Sequence, residues 1–209
     1  METTRQEQVR RGLRQVSQER DSTASPTRWA KQTRFGQRFD RYKLAKKIIA
    51  WDTAPKQEYF DELFRVSRNQ IIWGGNYFNL PSTRCFLIWR KTNVPENFSM
   101  AMCEYAWASF NDNAKMFEFS AVGQPGRFHP TQKPIELYEW ILRNYAHEGD
   151  KILDTHVGSA SSLIACQRLG FDFVGFEIDS TYYQLASERF ERETAQMTLT
   201  NYLKGLNST

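Results

Sequence analysis

The last third of the chain alternates short apolar runs with apolar stripes at helical spacing. Residues 135–145 carry such a stripe behind Pro134, a residue that suits a first helical turn. The run KILDT at 151–155 is typical of a buried strand. The pattern then predicts a helix over 159–169 that stops at Gly170.

A second strand and a further helix follow. The run FVGFEI at 173–178 predicts the strand, and Asp179 is a suitable N-cap for the helix behind it. That helix would carry three apolar residues on one side, namely Tyr183, Ala186 and Phe190. Strand, helix, strand, helix in quick succession predicts a βαβα unit with a parallel sheet.

The middle of the chain contains weaker signals. An apolar helical face predicts a helix over 58–66, and the run QIIW before Gly74 predicts a buried strand. Two further strands are predicted at 85–89 and 116–122. The stretch between them reads as loop-rich with an apolar patch at Ala101–Trp107.

The N-terminal region shows little regular pattern. Residues 1–20 have weak helical spacing at Val9, Leu13 and Val16, consistent with a short amphipathic helix or a frayed arm. Residues 21–36 contain Ser, Thr, Pro and Gly without a period and are predicted to be loop.

Size and composition bound the class of protein. A chain of 209 residues with 40% apolar and 25% charged residues suits one domain with a sizeable core. No apolar run approaches the roughly 20 residues of a membrane span, and the N-terminus lacks the apolar segment of a secretory signal. Cys85, Cys103 and Cys166 are odd in number and widely spaced, which favours buried thiols over disulfides or a metal site. These features predict a cytoplasmic protein without a metal.

Positive charge is concentrated near the N-terminus. Residues 1–50 hold 13 Lys/Arg and 5 Asp/Glu, a balance of +8, whereas residues 51–209 hold 15 and 19, a balance of −4. This asymmetry is consistent with a polyanionic partner or with a solvated basic tail. The chain therefore divides into a basic, partly irregular segment, 1–50, and a main domain, 51–209.

Basic and aromatic residues are interleaved between positions 28 and 47. Aromatic rings stack on bases while Arg and Lys meet phosphates, so the mixture suits a nucleic-acid contact, although a segment that buries its aromatics would look similar. The candidate DNA-binding residues are Arg28, Trp29, Lys31, Arg34, Arg38, Arg41 and Lys43.

A nucleotide-type site is predicted where KILD meets the following helix. Gly158 at such a junction lets the backbone approach a ligand, and the helix N-terminus offers free N–H donors. Glu177, 19 residues further on at the end of the next strand, could accept both hydroxyls of a ribose. Because the loop holds one glycine and not G-x-G-x-x-G, it favours a cofactor with adenosine but no pyrophosphate; alone it could also be a simple turn.

The order of HPTQKP (129–134), LDTHVGSAS (153–161) and GFEID (175–179) resembles the permuted, S-adenosylmethionine-dependent DNA amino-methyltransferases. The resemblance covers a cofactor half, 127–193, and extends back to Trp51 through the stretch that ends in GGNYF. It implies a single-domain, Rossmann-like methyltransferase fold with a mostly parallel sheet and helices on both faces. It also implies S-adenosylmethionine as cofactor, with HPTQKP near its methionyl end. The cofactor residues it implies are His129, Thr131, Gln132, Lys133, Pro134, Asp154, Thr155, His156, Gly158, Ser159, Ala160, Glu177 and Asp179.

One element of that family is missing from the chain. The tetrapeptide Asp/Asn/Ser-Pro-Pro-aromatic, which positions the target amine in the family, does not occur in the sequence. The weak substitute is Asp52, which follows the apolar run 48–51. The chain could be a divergent or truncated relative, or one that works with another chain.

The resemblance implies methyl transfer to an exocyclic base amine of double-stranded DNA, with adenine ahead of cytosine. A homodimer or a partner subunit is compatible with the missing tetrapeptide. The alternative is a catalytically silent relative that binds cofactor or DNA. A small-molecule methyltransferase is the third hypothesis, and the basic, aromatic N-terminal segment counts against it.

Overall fold

A computed structural model of the chain describes residues 13–15, 53–98, 100–121 and 126–206, with side chains for 53–98, 100–121 and 126–195. Of these, 13–15 and 71–206 belong to one compact unit and 53–70 to another. The elements within the described residues are β1 (Leu13–Gln15), α1 (Gln57–Val66), β2 (Ile71–Trp73), β3 (Phe86–Lys91), β4 (Cys103–Ala108), β5 (Lys115–Phe119), α2 (Ile135–Tyr145), β6 (Lys151–Asp154), α3 (Ser161–Leu169), β7 (Asp172–Glu177) and α4 (Ser180–Leu206).

The smaller unit contains helix α1. Its apolar face buries Phe60, and the ring of Tyr59 meets that of Phe60 edge-on at 5.1 Å between centroids. Ser67 ends the helix, because its backbone N–H and its hydroxyl both donate to the Leu63 carbonyl. The helix predicted over 58–66 is confirmed.

A parallel three-stranded sheet, in the order β1-β7-β6, forms one half of the larger unit. Leu153 pairs with Val174 between β6 and β7, and Arg14 pairs with Phe176 between β1 and β7. Helix α3 connects β6 to β7 and packs on both, while α4 packs on β7 and β1. The predicted βαβα unit is therefore present.

Helix α3 approaches the parallel sheet closely. A Cβ atom on Gly175 of β7 would lie 2.6 Å from Val157 Cγ2 and 2.8 Å from Leu163 Cδ1, so a larger residue here would displace these side chains. The apolar core under the sheet consists of Ile135, Leu142, Val157, Ala160, Leu163, Ile164, Ala165, Cys166, Ala186 and Phe190. This core places the carboxyl ends of β6 and β7 side by side.

A mixed four-stranded sheet, in the order β2-β4-β3-β5, forms the other half. Strand β4 runs antiparallel to both neighbours, and β3 runs parallel to β5. Its core consists of Cys85, Leu87, Trp89, Ala106, Ala108, Ala121, Leu137, Ile141 and Tyr145. Because α2 contributes residues to this core and to that of the parallel sheet, it packs between the two.

The expected α/β class is confirmed, and within the described residues three of the five strand pairings are parallel. The expectation of helices on both faces stays a prediction. So does the proposed boundary at residue 50, which lies outside the described residues.

Two local expectations were wrong. The stretch predicted to be loop-rich contains β4, which lies in the interior of the mixed sheet with Ala106, Trp107 and Ala108 buried. Residues 13–15, predicted as a short helix or an arm, form a strand on β7. Both strands form by pairing with residues that are far away in the sequence. The local spacing of apolar residues carries no information about such pairing.

Helix α3 begins later than predicted, at Ser161 instead of Ser159. The cause is Ala160, whose φ of 62° is left-handed and cannot belong to the helix. The junction between β6 and α3 is therefore a longer loop, 155–160, than the sequence indicated.

Candidate functional site

The carboxyl ends of β6 and β7 are joined by one carboxylate. Glu177 Oε2 accepts the N–H of Gly158 at 2.8 Å, and Oε1 accepts the N–H of Asp179 at 2.9 Å. Glu177 is 7% exposed, and burial raises its pKa although three backbone N–H groups favour the ionised form. A carboxylate has about four lone-pair sites, so with three N–H groups on it Glu177 can still accept one further hydroxyl group.

A second carboxylate shapes the loop after β6. Asp154 Oδ1 accepts the N–H of His156 at 2.9 Å, and Oδ2 accepts the hydroxyl of Ser162 in α3. The Thr155 hydroxyl lies 3.0 Å from His156 Nδ1. The loop therefore has a defined backbone shape, with Thr155 half-buried and His156 exposed on its outer side.

Gly158 lies directly against the ring of His129. Its φ is 55°, and a Cβ atom there would come within 3.2 Å of His129 Cε1. On its other side the His129 ring meets Tyr182 of α4 at 4.4 Å between centroids, in an edge-on arrangement. Gly158 is needed both for its left-handed backbone and for this close approach.

His129 is held as a neutral imidazole. Burial, and then the charge of Lys133, lower its pKa to about 4, while Asp179 opposes the shift. The Thr131 N–H donates to Nδ1 at 3.3 Å and the Thr131 hydroxyl lies 3.1 Å away, which leaves the proton on Nε2. His129 is thus a packing and hydrogen-bonding group at neutral pH, not a cation.

The rest of HPTQKP folds back on itself and on α3. Gln132 is 4% exposed, and its Oε1 accepts the N–H of Phe128 at 3.4 Å. Pro134 is the N-cap of α2, one position before the first helical residue. The Lys133 carbonyl accepts the Ser161 hydroxyl at 2.7 Å, which ties the segment to the start of α3.

Lys133 belongs to a buried charge cluster. Its Nζ lies 3.0 Å from Glu104 Oε2 and 5.0 Å from the centre of the Trp73 ring. Lys91 Nζ lies 2.8 Å from Glu104 Oε1. Burial disfavours the charge on Glu104, but Lys133 and Lys91 outweigh it and hold its pKa below the ordinary value. The Lys133 ammonium is therefore directed to Glu104 of β4.

Arg189 of α4 is a site residue that the sequence analysis missed. It is 5% exposed, and its Nη1 donates to the Ser159 carbonyl at 2.7 Å and to the Ser161 hydroxyl at 2.8 Å. These two hydrogen bonds attach α4 to the end of the loop at Ser159 and to the first residue of α3. The available signal was an arginine on the same helical face as Ala186 and Phe190, where an apolar residue is expected.

Asp179 acts as the predicted helix cap. Its Oδ1 accepts the N–H groups of Thr181 at 2.8 Å and Tyr182 at 3.0 Å. Glu177 and Asp179 thus share one short segment, with one carboxylate facing the loop and the other facing α4. The positive end of α4 is satisfied by the chain itself.

The structure brings most of the predicted cofactor residues together around the loop, by way of His129, Thr131, Lys133, Gly158 and Glu177. It does not test their cofactor roles, which stay predictions. Asp52 lies outside the described residues, as do all the DNA-contact candidates, namely Arg28, Trp29, Lys31, Arg34, Arg38, Arg41 and Lys43.

The donor set suits an adenosine-containing cofactor. Glu177 retains acceptor capacity for a hydroxyl at the end of β7, next to the loop that follows β6. Among residues 53–98, 100–121 and 126–195, no three His, Cys, Asp or Glu side chains are grouped to hold a metal ion. None of the described helices is both long enough and apolar enough to traverse a bilayer.

A family model described as DNA methylase (N6_N4_Mtase) matches residues 15–188. The match includes both sheets and the loop that Glu177 organises.

Individual relatives match shorter stretches. The chain is 36% identical over 83 residues to the type II methyltransferase M.HpaI of Haemophilus parainfluenzae, covering 38% of this chain and 26% of the relative. It is 38% identical over 138 residues to M2.LlaDCHI of Lactococcus lactis subsp. cremoris, covering 51% of this chain and 50% of that one. The chain thus spans between a quarter and a half of these relatives' lengths.

Solved structures also resemble the chain. The crystal structure of the M1.HpyAVI-SAM complex is 24% identical, with a TM-score of 0.49 over 66% of this chain and 83% of that one. A putative DNA modification methylase of Thermus thermophilus complexed with S-adenosyl-L-methionine is 26% identical, with a TM-score of 0.37 over 52% of each chain.

Proposed function

Because the chain belongs to the DNA methylase family, whose methyl donor is S-adenosylmethionine, we propose that it transfers a methyl group to an exocyclic amine of a DNA base. We place adenine ahead of cytosine as the target, with double-stranded DNA as the substrate. The observation that carries the proposal is the Glu177 carboxylate, which bonds Gly158 and Asp179 at the ends of adjacent parallel strands.

The chain's own residues would bind and orient the cofactor. The sulfonium of S-adenosylmethionine supplies an activated methyl group, so no metal is required. Glu177 would accept a ribose hydroxyl, and Gly158 gives the loop the left-handed turn that brings its N–H to the same carboxylate. His129 and Arg189 act from behind the loop, where they hold its backbone in the binding shape.

The remaining assignments are also proposals. The relatives named above are type II methyltransferases, which supports a role in restriction and modification. We propose a cytoplasmic protein that acts on duplex DNA, either as a homodimer or with a partner subunit. Association would offer a route to the target-positioning group that the sequence lacks.

A second candidate function is that of a cofactor- and DNA-binding relative with little turnover. The specific observation is that no Asp/Asn/Ser-Pro-Pro-aromatic tetrapeptide occurs in the sequence, while the cofactor elements are complete. Losing an oriented contact to the reacting amine slows catalysis about tenfold for each 1.36 kcal/mol. Asp52 remains the candidate substitute.

Replacing Glu177 by Gln should weaken S-adenosylmethionine binding by about 1.5–3 kcal/mol, the range for a hydrogen bond to a charged group. Glutamine keeps the size of the side chain but loses the charge and one acceptor. Isothermal titration calorimetry on the full chain measures the change. Because burial raises the pKa of Glu177, wild-type affinity should begin to fall on acidification at a higher pH than an ordinary glutamate would give.

Glu188→Gln is the matched control, since Glu188 is exposed on α4 and hydrogen-bonds only to Gln184 within the described residues. Transfer of labelled methyl to mixed-sequence duplex DNA, followed by digestion to nucleosides, then tests the reaction and the base. Cofactor binding without transfer would favour the second candidate. A folded wild-type protein that does not bind the cofactor would contradict both.

Neutralising Arg34, Arg38 and Arg41 with Gln should flatten the plot of log DNA affinity against log salt by about 0.9 for each phosphate that is no longer neutralised. We expect this change because residues 1–50 carry a net charge of +8, which would neutralise phosphates of the DNA. The control triple variant removes the same charge from the exposed side chains of Arg65, Arg143 and Arg192 and should keep the wild-type slope. Equal slopes for wild type and the first triple variant would mean that these arginines do not contact DNA.

A further inference from the structure

Tyr77 is the most exposed of the large apolar side chains that the structure describes. It is 69% exposed, and it stands in the short turn Gly74–Phe78 that follows β2. Tyrosine rings are usually at least partly covered, because their apolar faces gain free energy on burial. The exposed face of the Tyr77 ring is therefore available to a binding partner.

The turn that carries Tyr77 is anchored to β4. The Gly74 N–H donates to the Tyr105 carbonyl of β4 at 2.8 Å, and the N–H of Tyr77 donates to the Gly74 carbonyl at 2.9 Å. Gly75 is buried, and a Cβ atom there would lie 2.4 Å from Trp107 Cβ, so the backbone is pressed against β4. The ring is thus displayed by a backbone that is anchored to the sheet.

A continuous path of contacts links this turn to the cofactor loop. The Tyr77 ring lies over Gly74, with Cδ2 3.3 Å from the position a Cβ atom would take. The neighbouring Trp73 ring lies 5.0 Å from Lys133 Nζ, and the Lys133 carbonyl accepts the Ser161 hydroxyl at the start of α3. Tyr77 is therefore connected, through Gly74, Trp73 and Lys133, to the start of α3.

We propose that Tyr77 is a stacking platform for a nucleobase of the DNA substrate. The inference rests on the proposed function, and it assigns a base contact outside the basic N-terminal segment. A flat ring that is fixed from behind and open in front matches the π face of any base, and stacking of this kind is tolerant of sequence. Asn76, exposed beside it, carries both an amide donor and an acceptor for a base edge.

The test combines a protein variant with a DNA variant. Affinities of the full chain are measured for a mixed-sequence single-stranded oligonucleotide, whose bases are already accessible, and for the same oligonucleotide with abasic sugars. Tyr77→Ala should bind the normal oligonucleotide about 5- to 150-fold more weakly than wild type, the range for removing one base stack, and the abasic one equally well. Tyr77→Phe keeps the ring and should bind both like wild type.

Met116→Ala is the matched control for removing an exposed apolar side chain. Met116 is 53% exposed on β5, and β4 and β3 separate β5 from β2 in the sheet. Its removal should leave both DNA affinities unchanged. Circular dichroism and calorimetry with S-adenosylmethionine should show that Tyr77→Ala is folded and retains cofactor affinity.

Four results would overturn the proposal. Equal losses on normal and abasic DNA would mean that Tyr77 contacts the backbone of the DNA or supports the fold. A loss of cofactor affinity alone would assign the ring to the adenine of S-adenosylmethionine. Unchanged affinity of Tyr77→Ala, with wild type that binds and methylates DNA, would remove this inference and leave the proposed function standing. A wild type that binds neither oligonucleotide nor duplex would remove both.

Discussion

Glu104→Gln is expected to lower the free energy of unfolding by about 3 kcal/mol at neutral pH, near the lower end for breaking a buried ion pair. The variant would remove the carboxylate that the ammonium groups of Lys91 and Lys133 share. These side chains are 7% and 11% exposed, so water cannot replace the lost partner effectively. The lower end applies because Glu104 itself is 31% exposed.

The pH dependence of this contribution has a definite sign. The pKa of Glu104 is lower in the folded chain than its ordinary value, so the folded state favours the carboxylate. The stabilisation is present in full above the ordinary pKa and is lost as the pH falls through the lowered one. The difference between wild type and Glu104→Gln should therefore shrink in acid.

Urea unfolding of both proteins at several pH values measures the effect. The matched control is Glu118→Gln, which breaks the pair between Arg90 on β3 and Glu118 on β5, where both side chains are at least half exposed. That control should cost about 1 kcal/mol or less, as exposed pairs do. If Glu104→Gln and Glu118→Gln cost the same, the cluster does not stabilise the fold as described.

His129 should make the protein less stable as the pH falls from about 6.5 to about 4. Its pKa is 6.5 when the ring is fully in water and about 4 in the folded protein, so in this window the unfolded chain binds the proton first. A difference of about 2.5 pKa units at 1.36 kcal/mol each corresponds to about 3 kcal/mol at most. The contribution is complete above pH 6.5 and lost below about 4.

The measurement compares wild type with His129→Gln, which has no titrating group but retains an acceptor for Thr131. The stability advantage of wild type over the variant should decrease by up to about 3 kcal/mol between pH 7 and pH 4. Carboxylates that titrate in the same range affect both proteins and cancel in the difference. A difference independent of pH would show that His129 accepts a proton equally well in both states.

The elements that the sequence predicted well are those with complete local signals. The helix 135–145, the strand after it and the turn at Gly170 each combine a regular apolar period with a proline or glycine at the boundary. Strand β4 lacked such a signal, since its apolar residues mix with Glu104 and Tyr105. Its position between β2 and β3 comes from pairing with residues that lie outside any local window.

Some residues of the candidate site could likewise be predicted from local sequence signals, and others could not. Gly158 and Glu177 could be found because each stands at or just after the end of an apolar strand, and parallel strands bring their carboxyl ends to one edge. Their direct hydrogen bond confirms that the two residues meet. Arg189 could not be assigned in this way, because only the packing of α4 shows that its guanidinium reaches the loop.

By itself the sequence determined the α/β class and membership of a methylase family, because these depend on local periods and on motifs at fixed spacing. Only the tertiary structure decided which charges meet. It directed the ammonium of Lys133 to Glu104, made His129 a neutral packing group, and displayed the Tyr77 ring on a glycine turn. These properties follow from distance and burial between segments far apart in the chain, and Coulomb energies and desolvation depend on both.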